Sequence, residues 1–101
     1  MKHFQIEVNL WASQFKEPYF PVFEQLTHLM EEVGELGREI SHKYGVKKKK
    51  DSEKKGSIKG EIGDALFTII CIGNKLGIDL DEAIIEALQK AKVRDNDRFK
   101  K

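Results

Sequence analysis

Apolar side chains recur every three or four residues along most of this chain, and no stretch alternates well enough to make a strand. Phe4, Val8, Trp11 and Phe15 fall at steps of four, three and four, which is one stripe of a first helix. Glu17-Pro18-Tyr19-Phe20-Pro21 then breaks it, because each proline pushes the residue before it out of the α region. Pro21 suits the first position of a second helix, where a missing N–H does no harm. Leu26, Leu29, Met30, Val33, Leu36, Gly37, Ile40 and Tyr44 follow along one face until Gly45 offers a stop. The run from Ala65 to Ile72 is apolar almost all round. A third helix starting near Ile58 and ending at Gly77 should therefore be the most buried. Asp79 as a cap, with Asp81 and Glu82 at the positive end, opens a fourth helix. Its Ala83, Ile84, Ala87, Leu88 and Ala91 should face inward. The lysine-rich stretch between Lys43 and Lys59, centred on residues 45–58, has almost nothing to bury and predicts a flexible basic loop. The pattern thus predicts an all-α, four-helix bundle forming one domain over residues 1–101. Helices two and three carry an acidic face, and helix four supports it.

Size and charge narrow this picture. A chain of 101 residues buries only roughly 60–65% of its unfolded surface, so a deep site calls for help from another copy, and a homodimer or a dimer of dimers is expected. With 18 Lys+Arg against 17 Asp+Glu the net charge is +1, which argues against a dedicated nucleic-acid binder. One cysteine, Cys71, cannot form an intramolecular disulfide; it sits in an apolar run and reads as packing in a reduced, cytoplasmic chain. The stretch Ala65–Gly73 falls far short of the ~20 residues that span a bilayer. No basic-then-apolar leader opens the sequence, so an unexported protein without a membrane partner is expected.

Chemistry enters with the acids of the two central helices. Glu32 with Glu35, and Glu61 with Asp64, are each three residues apart and so neighbours on a helix surface. Like charges there repel, and neither pair has a lysine or arginine four residues downstream. If Val33 and Leu66 centre the buried faces, Glu32 lies at about −100°, bordering the core, and the other three lie within roughly 40° of opposite. Cys71 and Ile72 share the side of Glu61 and Asp64, so that side is expected to be covered. Carboxylates converging in a covered space must protonate or bind cations. All-oxygen ligands select Mg²⁺ or Mn²⁺ over zinc or copper.

Glu31-Glu32-x-x-Glu35, then 25 residues, then Glu61-x-x-Asp64 resembles the EExxE…ExxD signature of the MazG-type all-α nucleotide pyrophosphohydrolases. Leu29 to Leu36, Gly60 to Phe67, Leu76 to Ala83 and the closing Arg98-Phe99 agree with it, so the resemblance covers roughly residues 20 to 99. It implies hydrolysis of a nucleoside triphosphate between its α- and β-phosphates, as house-cleaning of non-standard or surplus nucleotides. A triphosphate brings about four negative charges to a carboxylate cluster, so bridging divalent cations make binding possible. By this resemblance Glu32, Glu35, Glu61 and Asp64 are metal ligands, with Mg²⁺ first and Mn²⁺ second. Glu31 joins Glu32 and Glu35 in the catalytic set, as a further metal contact or to orient the attacking water. The last helix departs from the family pattern: Lys92 stands where many relatives carry Asn, and Arg94 where they carry Lys. Lys92, Arg94 and Arg98 are therefore the phosphate-contact candidates. Trp11, Tyr19 and Phe20 are the base-contact candidates.

Other features read more plainly. Trp11 and Phe15 lie on an apolar stripe, so core packing is favoured over base stacking, whereas Tyr19 and Phe20 between prolines suit a pocket wall. His28, one turn before Glu32, reads as a surface histidine before a partner of that glutamate. Lys75 shares an azimuth with Asp64 but lies about 16 Å further along the axis. The Glu39-x-x-His42 pair lacks the second such motif a di-iron bundle needs and is rejected. The lysine run, without interleaved aromatics, predicts no specific nucleic-acid contact. The competing reading of the whole chain is a catalytically idle helical interaction module with a cation-stabilised acidic face.

Overall fold

The computed structural model describes residues 1–45, 56–96 and 98. Four helices follow in order: α1 (Lys2–Ala12), α2 (Val22–Tyr44), α3 (Ile58–Leu76) and α4 (Leu80–Asp95). The described residues contain no strand. α1 ends three residues before Phe15: Ser13 donates from both its N–H and its Oγ to the Asn9 carbonyl, at 2.9 and 2.6 Å, which turns the chain. Pro21 is the cap of α2 rather than its first residue. Its extended ψ of 148° aims the carbonyl at the N–H groups of Glu24 and Gln25. Gly45 closes α2, and Ser57 caps α3 by accepting from Gly60 N–H at 2.8 Å. Gly77 ends α3 at φ 68°, a left-handed conformation that a Cβ would strain. Asp79 caps α4, accepting from the N–H groups of Asp81 and Glu82.

α2 and α3 form the main packed pair, with α1 laid on α3. They run antiparallel, since Gly56 approaches Glu39 while Glu32 meets Glu61 and Asp64. As expected, α3 is the most buried helix, contributing Ala65, Thr68, Ile70 and Gly73. A polar knot fixes α1. The buried amide of Gln5 donates to the Ile78 carbonyl at 2.8 Å and accepts from Leu80 N–H at 2.9 Å. Asn74 in turn donates to the Gln5 carbonyl at 3.0 Å.

α4 departs from expectation. It packs chiefly against α1 and does not support the acidic face of α2 and α3. Ala83, Ile84, Ala87 and Leu88 are exposed and Ala91 is only half-buried. A stripe of apolar spacing guarantees a face to cover but does not say which surface covers it. Among the described residues only Ala12, Ala65 and Ile70 are buried hydrophobics, too thin a core for a self-sufficient bundle. The radius of gyration, 17.0 Å, exceeds the roughly 13 Å of a compact chain of this length. The predicted loop falls mostly on residues 46–55, outside the described residues.

Candidate active site

The acids of α2 and α3 meet midway along their shared contact. One carboxylate oxygen each from Glu32, Glu61 and Asp64 lies within 4.8 Å of the others. Glu32 borders the core, with its side chain 12% exposed. His28, one turn earlier and 54% exposed, is the surface histidine expected, and its Nε2 also lies 3.0 Å from Glu32 Oε1. Glu35 lies near enough to Glu61 to raise its pKa. Glu31 is exposed and takes no part in these contacts.

The cluster is electrostatically unfinished. Glu61 is pushed above the usual carboxylate range, first by desolvation, then by the hydrogen bond with Glu35 and by repulsion from Glu35, Asp64 and Glu32. Glu32 Oε2 and Glu61 Oε2 are shielded from water and have no hydrogen-bond partner among the described residues. Orphaned acceptors of like charge on facing helices are costly unless a cation sits among them. The residues therefore fit a hard divalent cation held by oxygen.

A family model for the MazG nucleotide pyrophosphohydrolase domain matches residues 23–99. The chain belongs to that family. The protein YpjD of Bacillus subtilis (strain 168) is 46% identical to it over 99 residues, covering 98% of this chain and 89% of that one. A crystal structure of YpjD superposes with a TM-score of 0.78 at 45% identity, over 88% of this chain and 91% of that one. The crystal structure of a Bacillus-conserved MazG protein, a nucleotide pyrophosphohydrolase, gives 0.75 at 42% identity, over 88% and 85%. This MazG chain is accordingly a hydrolase acting on acid anhydrides, of a family that generally depends on divalent metal. No described helix is long and apolar enough to cross a membrane.

Next to the acids, and sharing His28 with them, lies a cavity of about 350 Å³ walled by Trp11, Phe15, Tyr19, Phe20 and Phe67. Trp11 is 52% exposed rather than core, and packs edge-to-face on Phe15 and Phe67 at 5.1 and 6.0 Å. Tyr19 is held by its hydroxyl, which donates to Asn9 Oδ1 and accepts from Asn74 Nδ2, both at 2.9 Å. Cys71 lines the cavity, and burial pushes its thiol up. Gln25, Thr68 and Phe67 were not among the sequence candidates. A signal existed, because Gln25 precedes Glu32, and Thr68 follows Glu61, by seven residues. Such spacing is two turns on one face, about 10 Å along the axis.

Lys92, Arg94 and Arg98 lie on or beyond α4. α4 packs chiefly on α1 rather than on the α2–α3 pair that carries the acids. Arg94 forks onto Asp95, with Nη2 to Oδ2 at 2.7 Å.

Proposed function

We propose that this protein hydrolyses nucleoside triphosphates, non-standard or deoxy forms included, to the monophosphate and pyrophosphate with Mg²⁺, Mn²⁺ serving as a substitute. The observation that carries this is the pair of shielded, unpartnered oxygens of Glu32 and Glu61 facing each other beside Asp64. Glu32, Glu35, Glu61 and Asp64 hold the metal. Bound there, a divalent cation neutralises the triphosphate and lowers the pKa of an attacking water. His28 fixes Glu32 by one oxygen and leaves the other for the cluster. Glu35, beside Glu61, takes a proton from water, and Glu31 on the exposed side orients that water. The base enters the aromatic cavity against Trp11, Tyr19 and Phe20. The cavity reaches His28, the residue that contacts Glu32, so a base in the cavity and phosphates at the acids would be neighbours.

The same reading includes assembly. Met30, Val33, Ile84, Ile85 and Leu88 are all more than half exposed, and together they suit a homodimer or dimer of dimers. In such an assembly Lys92, Arg94 or Arg98 of one copy reaches the phosphates held by another. The setting is the cytoplasm, with the nucleotide pool as substrate. Incubation with standard, deoxy and oxidised triphosphates in Mg²⁺ or Mn²⁺, with products separated, tests the reaction. Pyrophosphate and monophosphate are expected. Orthophosphate with a diphosphate, or no turnover of any triphosphate, would reject it and restore the idle interaction module.

A further inference from the structure

The aromatic cavity is walled in part by a segment with little to hold it. Among the described residues, 16–20 make no backbone–backbone hydrogen bond, and the Tyr19 hydroxyl supplies that segment's hydrogen bonds to the helices. The direction of those bonds is fixed from a distance. Leu80 N–H can only donate and the Ile78 carbonyl can only accept, so Gln5 turns Oε1 to the first and Nε2 to the second. Gln5 Nε2 also donates to Asn74 Oδ1 at 3.1 Å. Asn74 Nδ2 is thereby left for the Gln5 carbonyl at 3.0 Å and the Tyr19 oxygen at 2.9 Å. Having accepted there, Tyr19 spends its one proton on Asn9 Oδ1. A single polarity thus runs from the α3–α4 turn through Gln5, Asn74 and Tyr19 to Asn9. Tyr19 lines the cavity, whereas Asn9 and Asn74 lie on the far side of it, in the groove between α1 and the α3–α4 turn.

We propose that Asn9 and Asn74 are positioning residues for nucleotide binding: by fixing the Tyr19 hydroxyl they set the ring against which a bound base packs, without touching the nucleotide themselves. The inference rests on the reading that the cavity receives the nucleotide's base. With the hydroxyl released, the nucleotide itself would have to order segment 16–20, and that ordering is subtracted from its affinity. One net hydrogen bond corresponds to about fivefold in an equilibrium constant. The polarity adds a chemical signature. Position 9 calls only for an acceptor, so a carboxylate serves there as well as an amide, whereas an apolar side chain does not.

Trp11 is the single tryptophan and forms a wall of the cavity, so a base bound there should quench its fluorescence. AMP, CMP, GMP and UMP are titrated in Mg²⁺, and the tightest binder is carried to the variants. Tyr19→Phe, which keeps the ring, should raise the half-quenching concentration at least about fivefold, and Asn9→Leu about fivefold. Asn9→Asp should stay within about twofold of wild type. With Tyr19→Phe already in place, Asn9→Leu should add less than about twofold, because its effect passes through the hydroxyl. A wild-type value for Tyr19→Phe, equal losses in Asn9→Asp and Asn9→Leu, or full additivity in the double variant overturns the proposal. Asn9 is exposed and its side chain makes none of the Gln5 bonds, so its variants keep the fold even where Tyr19→Phe does not. Quenching by none of the four nucleotides rejects the base-in-cavity reading and the proposal with it; quenching indifferent to Tyr19→Phe and Asn9→Leu rejects the tether alone. Where the matching triphosphate is cleaved, Asn9→Leu should raise KM by the same factor while kcat stays within about twofold, and a fall in kcat alone counts against positioning.

Discussion

Asp64→Asn separates a metal ligand from a structural residue. Asp64 offers an oxygen within 4.8 Å of Glu32 and Glu61, and full charges at that range repel by about 1 kcal/mol even at the dielectric of water. The side chain is exposed, so the water value is the appropriate one. Neutralising it should therefore leave the metal-free protein equally stable or raise its melting temperature by a few degrees, at ~4–8 °C per kcal/mol for a chain of this size. With metal the order should reverse. Mg²⁺ at a hundred times its Kd stabilises a folded state by about 2.7 kcal/mol, which is ~10–20 °C here. The variant should lose most of that shift together with its turnover. Differential scanning calorimetry in EDTA and then in Mg²⁺ reads both effects. A variant that melts well below wild type in EDTA would show that Asp64 makes a structural hydrogen bond, and its assignment to the metal would fall.

The remaining predictions concern charge, assembly and the polar knot. Glu61 has its folded pKa raised, so its stabilising contribution is present below the ordinary glutamate range and lost as pH rises through the folded value. Melting of the metal-free protein should accordingly decline from about pH 4 toward neutrality, and Glu61→Gln should flatten that decline. Ile84→Lys with Leu88→Lys should lower the mass measured by light scattering at micromolar concentration; an unchanged mass excludes α4 from the interface. Gln5→Leu leaves the Ile78 carbonyl and the Leu80 N–H without their partner, a loss of about 2–3 kcal/mol, or a melting temperature lower by roughly 10–20 °C.

Local signals were legible wherever one residue type settles the geometry. Gly77 and Asp79 bound the α3–α4 turn as read, because a left-handed C-terminus and a carboxylate N-cap are decided within a few residues. The acids of α2 and α3 were also legible, since spacing of three places them on common faces and two such pairs recur on paired helices. Partnership was harder to read. The stripe of α4 has the periodicity of a buried helix, yet Ile84 and Leu88 are exposed, because hydrophobic spacing does not distinguish a neighbour in the same chain from one in another. Gln25 was missed because its seven-residue spacing from Glu32 marks a shared face without saying that the amide on it is buried. His28 is exposed as read, and its 3.0 Å contact with Glu32 is the (i, i+4) pairing their spacing allows.

The Gln5 knot also sets a clock. Its partners Asn74, Ile78 and Leu80 lie 69 to 75 positions downstream, so on the ribosome the first helix is made long before anything exists for it to hold. Until then α1 exposes Phe4, Leu10 and Trp11, all more than half exposed even in the finished chain. The aromatic cavity, walled on one side by Trp11, is therefore among the last parts of the molecule to take shape, and a nascent chain carries its acids before it has anywhere to put a base.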